Sequence, residues 1–411
     1  MVIKKIINFI SIIINFLKSK LKKKNKKYLK NIKKAVGKKK IFLLHLSSIG
    51  SSIYTSCYLK RLLEEKKINN RELIIISDGN YINYFWKKKL AKNFKIKDRP
   101  YLYKYLIQNS NLLKDNIIPW PFDGTNFEYE NCFNFLFSIQ EEKEGKEILK
   151  KLNISTNKKI ITISYKSNEY WLKRTSKDKK FENYRLSTPK NLLKTINYLI
   201  AENYQIIFTG QPSINDKKIL SNCIFYDELP YKEKQFFDFY IYSIAEFCVI
   251  GHSGDLAFAY LFNKSVLHHN AIHPNFFCKG IMLPKSFINK KKQIKIDFLD
   301  LIKIKKLHFF SDIIFPKFTK ISAIHFKNNL FFELNNIELI ENTEDEILNS
   351  IKELINYIKN DYDIILDNEL SKLQNDIRDE IFNHSVCKKH SLIELKKFKG
   401  IISPNYLNKI N

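Results

Sequence analysis

The sequence is poor in glycine and proline, with ten of each among 411 residues. This scarcity argues against low-complexity linkers and fibrous repeats, which depend on one or both of these residues. Apolar residues make up 44% of the chain and charged residues 27%, values that are typical of a folded globular protein. Because a chain of this length exceeds one ordinary hydrophobic core, we expect two domains.

Cysteine is also sparse, and its spacing matches neither a metal site nor a redox motif. None of the six cysteines forms a C-x-x-C pair, and Cys223 and Cys248 lie within or beside apolar runs. We therefore expect reduced thiols and a cytoplasmic protein. The cluster of His268, His269 and His273 has no clear ligand pattern, so we interpret it as a strand end followed by a loop.

The apolar run near the N terminus is too short to span a membrane. Ile6–Leu17 falls below the roughly 20 apolar residues that a transmembrane helix needs. The lysine-rich stretch Lys18–Lys40 follows it, without the small-residue cleavage site of a signal peptide. This order predicts a basic amphipathic helix that lies on an anionic membrane surface, at the inner face of the cell membrane. A helix docked on the first domain, with a solvated lysine tail, is the alternative.

Acidic residues are in the minority. Lys and Arg number 71 against 42 Asp and Glu, which gives a formal charge of +29. Such an excess attracts nucleic acid, anionic membranes or phosphorylated substrates. The charge is spread along the chain without a recognised nucleic-acid motif, so we expect no nucleic-acid partner. The abundance of Lys, Ile and Asn is also typical of drift in an AT-rich genome, which accounts for part of the excess.

Apolar runs alternate with helical patterns after residue 40. Ile41–Leu46 and Leu73–Ser77 are typical of buried strands, and Ile53–Glu65 of an amphipathic helix. Continuous apolar strands separated by helices predict a parallel sheet that is covered on both faces. The stretch from about residue 80 to 137 is rich in aromatic residues and gives no clear element.

The alternation restarts at Lys158, after a charged stretch. Strands are predicted at Ile160–Ser164, Gln205–Thr209, Asn222–Tyr226, Phe247–Ile250 and Ser265–His268, and helices at Asn191–Glu202, Lys234–Ala245, Asp255–Phe262 and Glu344–Asn360. We therefore predict an N-terminal apolar and polybasic helical segment (1–40), a first α/β domain (41–150), a second α/β domain (151–340), and C-terminal helices with a tail (341–411).

The turn after Ile250 carries the strongest functional pattern. A buried strand ends there, Gly251-His252-Ser253-Gly254 forms a tight turn, and a helix opens at Asp255. This arrangement directs backbone N–H groups toward the carboxyl edge of the sheet, where a diphosphate fits. Asp255 would repel phosphate, so we interpret it as the cap of the helix. An ordinary strand–turn–helix connection is the alternative.

Several positions around this turn follow one family pattern. They are Asp238 in a helix, the strand Phe247–Gly251, the pair Ser253-Gly254, the turn Phe262-Asn263-Lys264, the strand-end Asn270, the pair Tyr184-Arg185 and the late segment Asn336–Glu346. Over about residues 158–355 the chain resembles a family of bacterial GT-B glycosyltransferases encoded among surface-polysaccharide genes. The resemblance implies a GT-B-like α/β fold, in which two doubly wound, Rossmann-like domains face a cleft.

The same resemblance implies a function and a set of ligands. The expected activity is transfer of a sugar from a nucleotide-sugar donor to a glycan or lipid-linked glycan acceptor, in polysaccharide or lipopolysaccharide assembly. The residues expected to bind the donor are Lys166, Arg185, Gly210, Gln211, Asp238, Gly251, His252, Ser253, Gly254 and Asn270.

Two positions depart from the family pattern. Ser164 replaces the histidine of a His-x-Arg pair, in which Lys166 takes the place of the arginine, and Phe208 stands where an arginine is usual. The cations at 173–177 lie nearby in sequence, and we interpret them as a solvated loop. These departures motivate an alternative, a catalytically inactive sugar-nucleotide-binding or scaffold protein of a glycan assembly complex.

The predicted chemistry needs no metal and no cofactor apart from the nucleotide sugar. Asp361-Tyr362-Asp363 has the spacing of a metal motif but follows the last clear helix, so we interpret it as surface. Cationic side chains and the glycine-rich turn are expected to stabilise the leaving diphosphate instead. His45, at the end of the first strand, is the candidate base for the acceptor hydroxyl, and a buried structural histidine is the alternative.

Overall fold

The structure is a computed structural model, and it describes most of the chain after residue 30. The described residues are 31–32, 34, 36–64, 68–108, 116–118, 135–167, 183–272, 279–296, 332, 336–363, 366–383 and 399–408. The predicted N-terminal segment, the cations at 173–177 and His273 thus lie wholly or mostly outside the described residues. Among the helices that are described, none has the length and apolar character needed to cross a membrane.

The N-terminal unit is a parallel sheet with helices between its strands. Its strands are β1 (Lys40–Leu44), β2 (Leu73–Ser77), β3 (Ile96–Asp98) and β4 (Ile117–Ile118), and its helices are α1 (Ile49–Glu64), α2 (Tyr84–Asn93) and α3 (Pro100–Gln108). The strands pair in parallel in the order β3-β2-β1-β4. Strand β1 is buried after its first residue, because helices cover both faces of such a sheet.

A larger parallel sheet forms the second unit. The remaining strands are β5 (Lys159–Ser164), β6 (Tyr204–Phe208), β7 (Ile224–Phe225), β8 (Phe247–Ile250), β9 (Ser265–Ala271), β10 (Gly280–Pro284), β11 (Ser286–Asn289), β12 (Ile294–Ile296), β13 (Ile337–Ile340) and β14 (Gly400–Ile402). Seven of them form one parallel sheet in the order β14-β10-β9-β8-β5-β6-β7, and β12-β11-β13 form a small antiparallel sheet.

Helices pack around this second sheet. They are α4 (Ile139–Lys151), α5 (Leu193–Ala201), α6 (Ile214–Ile219), α7 (Tyr231–Ile244), α8 (Leu256–Leu261), α9 (Glu344–Lys359), α10 (Asn368–Asn383) and α11 (Pro404–Leu407). Helix α9 starts with a capping box, in which the Thr343 hydroxyl accepts the Glu346 amide and the Glu346 carboxylate accepts the Thr343 amide. The predicted fold class, α/β with two parallel, helix-covered sheets, is confirmed.

The C-terminal part of the chain contributes to the second unit. Strand β14 lies beside β10 at the edge of the large sheet, and the apolar face of α9 packs on β9 and β10. The Asp361–Asp363 stretch forms a turn directly after α9, as expected for a helix end. The predicted division of the chain at residues 40, 150 and 340 remains a prediction.

An aromatic core joins the two units. Trp86 of α2 stacks on Phe239 of α7 with ring centroids 5.4 Å apart, and Phe85 meets Phe236 edge-on at 5.2 Å. Buried Lys89 lies against these rings and pairs with Glu141 at 2.6 Å. The aromatic stretch that gave no clear element in the sequence thus supplies α2, β3, α3 and β4, and its aromatic residues bury apolar area at the junction.

Candidate functional site

The glycine-rich turn lies where it was predicted, between β8 and α8. The Gly251 amide donates to the Ser164 carbonyl at 2.8 Å, which ties the turn to β5. The Ser253 amide donates to the Gly251 carbonyl, and the Asp255 amide to the Ser253 hydroxyl at 3.2 Å. Two amides of the turn, and that of Asp255 directly after it, are therefore used within the protein. Since α8 has only six residues, its dipole is also weaker than that of a full-length helix.

Two glycines from different units meet at this turn. Gly50 lies in the first turn of α1, and a Cβ placed on it would be 2.9 Å from the Cα and the carbonyl oxygen of Gly254. Such a distance leaves no room for a side chain, so the backbones touch only because position 50 is glycine. The carboxyl ends of β1 and β8, which precede α1 and this turn, are thereby brought to the same place.

Asp255 does not cap α8, which corrects the role we gave it from the sequence. Its side chain makes no capping hydrogen bond to the helix. Burial raises the pKa of its carboxyl group, while the nearby hydroxyls of Ser164 and Ser253 and the charges of Lys166 and Arg185 act in the opposite direction. Asp255 therefore belongs to the same polar cluster as the two predicted donor-binding cations.

Those two cations are held beside the turn. Arg185 donates from Nε to the His252 carbonyl at 3.2 Å, so its guanidinium is anchored on the turn itself. Lys166 follows β5 and forms a parallel bridge with Leu186, the residue after Arg185. The structure thus brings Lys166, Arg185 and Gly251–Gly254 together at the carboxyl edge of the second sheet.

Gly210 and Gln211 follow the neighbouring strand β6. A Cβ on Gly210 would lie 2.9 Å from the Phe208 ring and 3.5 Å from the Tyr165 carbonyl, which places the glycine directly beside the end of β5. Gln211 is exposed to solvent. Phe208, in contrast, is buried and packs edge-on against Tyr165 at 5.3 Å. An apolar contact therefore occupies the position where the family pattern has an arginine.

Asp238 lies on α7 and is partly buried. Its carboxylate accepts a hydrogen bond from the Tyr226 hydroxyl at 2.7 Å. Burial raises the pKa of Asp238 to about 7, and the nearby charge of Asp255 adds to the shift. The two carboxyl groups are therefore close enough to influence each other, and donor binding by Asp238 remains a prediction.

Because the carboxyl pKa of Asp238 is raised, the difference in stability between the wild type and Asp238→Asn should depend on pH. The protonated form is favoured in the folded protein, so this stabilisation is complete below about pH 4 and is lost as the pH rises through about 7. Asparagine stays neutral, so the variant should exceed the wild type in stability above pH 7, by about 1 kcal/mol because the side chain is partly solvated. Chemical denaturation at pH 5 and pH 8 measures the difference. An equal difference at both pH values would contradict the shift.

Asn270, at the end of β9, is fully buried, and its polar groups are hydrogen-bonded within the protein. Its amide donates to the Asn342 side-chain oxygen at 2.6 Å, and its own side-chain oxygen accepts the Asn342 amide at 2.8 Å. Its Nδ2 donates to the Ser187 hydroxyl at 2.9 Å. This geometry gives Asn270 a structural role in fixing β9 to the chain before α9, and donor binding by Asn270 remains a prediction.

The histidines of this region are part of the core. His268 and His269 lie within β9, as the strand interpretation expected, and the rings of His252 and His268 stack at 5.4 Å. Burial lowers the pKa of His269 to about 3, so its ring is neutral. Within the described residues no group of three or more His, Cys, Asp or Glu side chains could hold a metal ion.

His45 forms part of a hydrogen-bonded chain at the carboxyl edge of the first sheet. Its Nδ1 lies 3.0 Å from Oδ2 of Asp78, its Nε2 lies 3.0 Å from the Ser47 hydroxyl, and the Tyr103 hydroxyl approaches Nδ1 at 3.2 Å. The His45 side chain is 29% exposed, so it is open to a ligand. The arrangement differs from that of a fully buried structural histidine.

Asp78 is a candidate site residue that the sequence analysis missed. Burial opposes its ionisation, but the hydrogen bond and charge of His45 and the Leu46 amide outweigh burial and lower its pKa. The sequence contains a signal for this pair, since His45 lies at the end of one predicted strand and Asp78 directly follows the next. In the structure β1 and β2 pair in parallel, with Leu44 opposite Ser77. The next residues along these strands, His45 and Asp78, are therefore neighbours.

Comparisons with known proteins give only remote likenesses. Comparison with protein-family models gives no match, and comparison with curated protein sequences gives none either. Among solved structures, the chain is similar to the glycosyl transferase family 9 from Veillonella parvula DSM 2008, with 9% identity and a TM-score of 0.37 over 77% of this chain and 97% of that chain. It is similar to E. coli ADP-heptose lps heptosyltransferase II, with 11% identity and a TM-score of 0.31 over 60% and 84%.

A third similar structure is the S. aureus MnaA–UDP co-structure, with 11% identity and a TM-score of 0.25 over 83% of this chain and 82% of that chain. Since these identities and TM-scores are low, the description of the fold rests on the chain's own two parallel sheets. The chemistry of the site is defined by the residues that those sheets bring together.

Proposed function

We propose that the protein is a metal-independent glycosyltransferase that moves a sugar from a nucleotide-sugar donor to an acceptor hydroxyl. The observation that carries this proposal is the contact between Gly50 and Gly254. It joins the carboxyl edge of one sheet, with a histidine–aspartate pair, to the carboxyl edge of another, with a basic glycine-rich turn. Transfer of a sugar needs a base near the acceptor and positive groups near the leaving diphosphate.

On the acceptor side, His45 acts as the base. The ionised Asp78 accepts the Nδ1 proton, which leaves Nε2 as a proton acceptor. The Ser47 hydroxyl lies 3.0 Å from Nε2 and marks the distance at which an acceptor hydroxyl would bind. As the acceptor oxygen bonds to the anomeric carbon, its proton passes to Nε2.

On the donor side, the bond between the anomeric carbon and the diphosphate oxygen breaks, and its electron pair leaves with the nucleoside diphosphate. Lys166 and Arg185 oppose the negative charge that develops on that oxygen. The donor contacts in this proposal also include Gly210, Gln211, Asp238 and the turn Gly251–Gly254. Arg185 is already anchored on the His252 carbonyl, so little reorganisation is needed to hold it there.

The acceptor in this proposal is a glycan or a lipid-linked glycan of the cell surface, as the family resemblance implies. The enzyme would then work in the cytoplasm, on the inner face of the cell membrane, where lipid-linked glycans are exposed to cytoplasmic donors. No cofactor beyond the nucleotide sugar enters the reaction, and nucleic acid is not a partner.

Two features of the donor side favour a second candidate, an inactive sugar-nucleotide-binding or scaffold protein. Asp255 lies beside Lys166 and Arg185 and offsets their charge. The apolar Phe208 also occupies the position of a family arginine. A weaker positive field would retain nucleotide binding through the backbone turn while reducing stabilisation of the leaving group.

Two measurements separate these candidates. A thermal-shift screen with UDP, ADP, GDP and CDP identifies the nucleotide, since a ligand that binds the folded state raises the Tm by mass action. Release of that nucleoside diphosphate from a set of its sugar donors then measures turnover. Binding with turnover supports the transferase, binding without turnover with any donor supports the inactive candidate, and no binding of any nucleotide refutes both.

Removal of residues 1–40 is expected to shift the protein from the membrane fraction toward the cytosolic fraction. Ile6–Leu17 would lose its insertion into the bilayer surface, and Lys18–Lys40 its attraction to anionic lipids. Membrane and cytosolic fractions of cells that produce the full chain or the truncated chain provide the measurement. An unchanged membrane fraction in the truncated protein would refute the predicted anchor.

A further inference from the structure

Four large apolar side chains are exposed near the junction of the two units. Ile82 is 37% exposed, Tyr84 58%, Tyr101 92% and Tyr231 64%. We call these four residues the aromatic rim. Isolated exposed apolar residues are normal on a soluble protein, so the question is whether these four lie together.

Hydrogen bonds connect the segments that carry the rim. The side chain of Gln235, one helical turn after Tyr231, donates to the Ile82 carbonyl at 3.2 Å and accepts the Tyr84 amide at 3.0 Å. On the other side, the Tyr81 hydroxyl donates to Asp98 at 2.8 Å, three residues before Tyr101. The four rim residues therefore lie on connected segments, at or just before the starts of α2, α3 and α7.

Basic residues border this surface. The exposed cations are Lys88, Arg99, Lys104 and Lys232. Lys88 is four residues after Tyr84 and Lys104 three residues after Tyr101, so each lies on the same helix face as its tyrosine. Of the nearby acidic groups, Glu233 pairs with Lys151 at 3.0 Å, while Asp98 accepts the Tyr81 hydroxyl and keeps its charge, so the cations outnumber the acids.

The chemistry of the rim matches a lipid surface. Tyrosine is enriched at the boundary between headgroups and hydrocarbon, because its ring is apolar and its hydroxyl remains hydrated. Lysine and arginine around such rings are attracted to anionic headgroups. The tyrosine hydroxyls and the bordering cations suit this wet, charged layer better than the dry core of a stable protein interface.

The rim also lies next to the proposed acceptor site. Asp78 follows β2 directly, its carboxylate accepts the Asn80 amide at 3.3 Å, and the rim begins two residues later at Ile82. The Ile82 amide donates to the carbonyl of Leu46, the residue after His45, at 3.1 Å, which ties the rim to the His45 edge. We propose that the aromatic rim docks the N-terminal unit on an anionic bilayer, separately from residues 1–40, so that the His45 edge faces the membrane surface. The docking itself does not depend on the proposed function.

Brominated lipids test this placement residue by residue. In the full chain, Tyr101→Trp adds a reporter on the rim, and Ile294→Trp adds one on β12, a 54% exposed position outside it. Vesicles contain phosphatidylglycerol and brominated phosphatidylcholine. With the wild-type tryptophan signal subtracted, we expect strong quenching at position 101 and little at position 294, because an interfacial side chain lies about 5–10 Å into the headgroup–acyl boundary.

A second pair of variants measures the contribution of the rim to binding. The triple change Tyr84→Ser, Tyr101→Ser and Tyr231→Ser should weaken binding to anionic vesicles by roughly tenfold or more, since each ring contributes apolar area. Ile139→Ser with Ile294→Ser, at exposed positions outside the rim, should have little effect. Vesicle binding without selective quenching at position 101, or no vesicle binding at all, would overturn the proposal. If the reporter at position 101 is quenched but the wild-type protein shows no transferase activity, the result counts against the proposed function alone.

Discussion

Replacing His45 by glutamine is expected to lower kcat for glycosyl transfer by about 10²–10⁴-fold, the usual contribution of a positioned general base. The donor KM should stay close to the wild-type value, because His45 lies on the acceptor side of the junction. Glutamine has a similar length and still reaches Ser47 and Asp78, but it cannot take the acceptor proton. Initial rates with saturating donor provide the measurement.

Two neighbouring variants make the result specific to the base. Ser47→Ala removes the hydroxyl at Nε2 and should retain most of the activity, since the acceptor hydroxyl takes the same position. Asp78→Asn should lower kcat substantially, because an amide can donate to Nδ1 and so favour a proton on Nε2, the tautomer that cannot act as base. If His45→Gln retained wild-type kcat, His45 would be a structural histidine.

The parts of the fold that the sequence predicted well are those with one dominant local signal. Leu73–Ser77 and Phe247–Ile250 were predicted to the residue, because each is a short apolar run bounded by polar or turn residues. Helix α1 instead starts at Ile49, four residues before the predicted start, since the serine- and glycine-rich stretch continues the helix. There Gly50 is needed for close contact with Gly254 rather than to end an element.

The parts that were missed depend on contacts between distant residues. Strand β14 is three residues long and exists because it pairs with β10 at the sheet edge. The aromatic stretch around Phe85 and Trp86 has no strong period, since its rings pack across the junction on a helix of the other unit. The contact between the Asp78 carboxylate and His45 likewise follows only from the pairing of β1 with β2.

The candidate site divides in the same way. The turn Gly251–Gly254 could be found from sequence because its strand, glycines and helix are contiguous, and the structure places Arg185 on it. The role of Asp255 could not be found from the sequence. Whether it caps the helix or lies beside Ser164 depends on how β5 pairs with β8. Local patterns therefore located the turn, and sheet pairing determines which charges surround it.

The turn gives the second large expected effect, loss of donor binding in Gly254→Val with the fold retained. A Cβ on Gly254 would meet the Gly50 Cα and nitrogen at 3.5 Å, an ordinary van der Waals distance, so the folded state can accept a Cβ there. The two γ-methyl groups of valine would extend further, into the space proposed for the diphosphate. If two charge-assisted hydrogen bonds are lost, at about 1.5 kcal/mol or more each, affinity should fall at least about 100-fold.

Two glycine-to-alanine variants separate donor exclusion from disruption of the junction. Gly254→Ala adds only the Cβ and should keep the Tm and most of the nucleotide affinity. Gly50→Ala places its Cβ 2.9 Å from the Gly254 backbone, which must move, so the Tm should fall together with binding. Titration calorimetry with the nucleotide found by thermal shift, alongside unfolding curves, tests all three. Unchanged affinity in Gly254→Val would place the diphosphate elsewhere, because a branched side chain cannot share the space between these turns with a ligand.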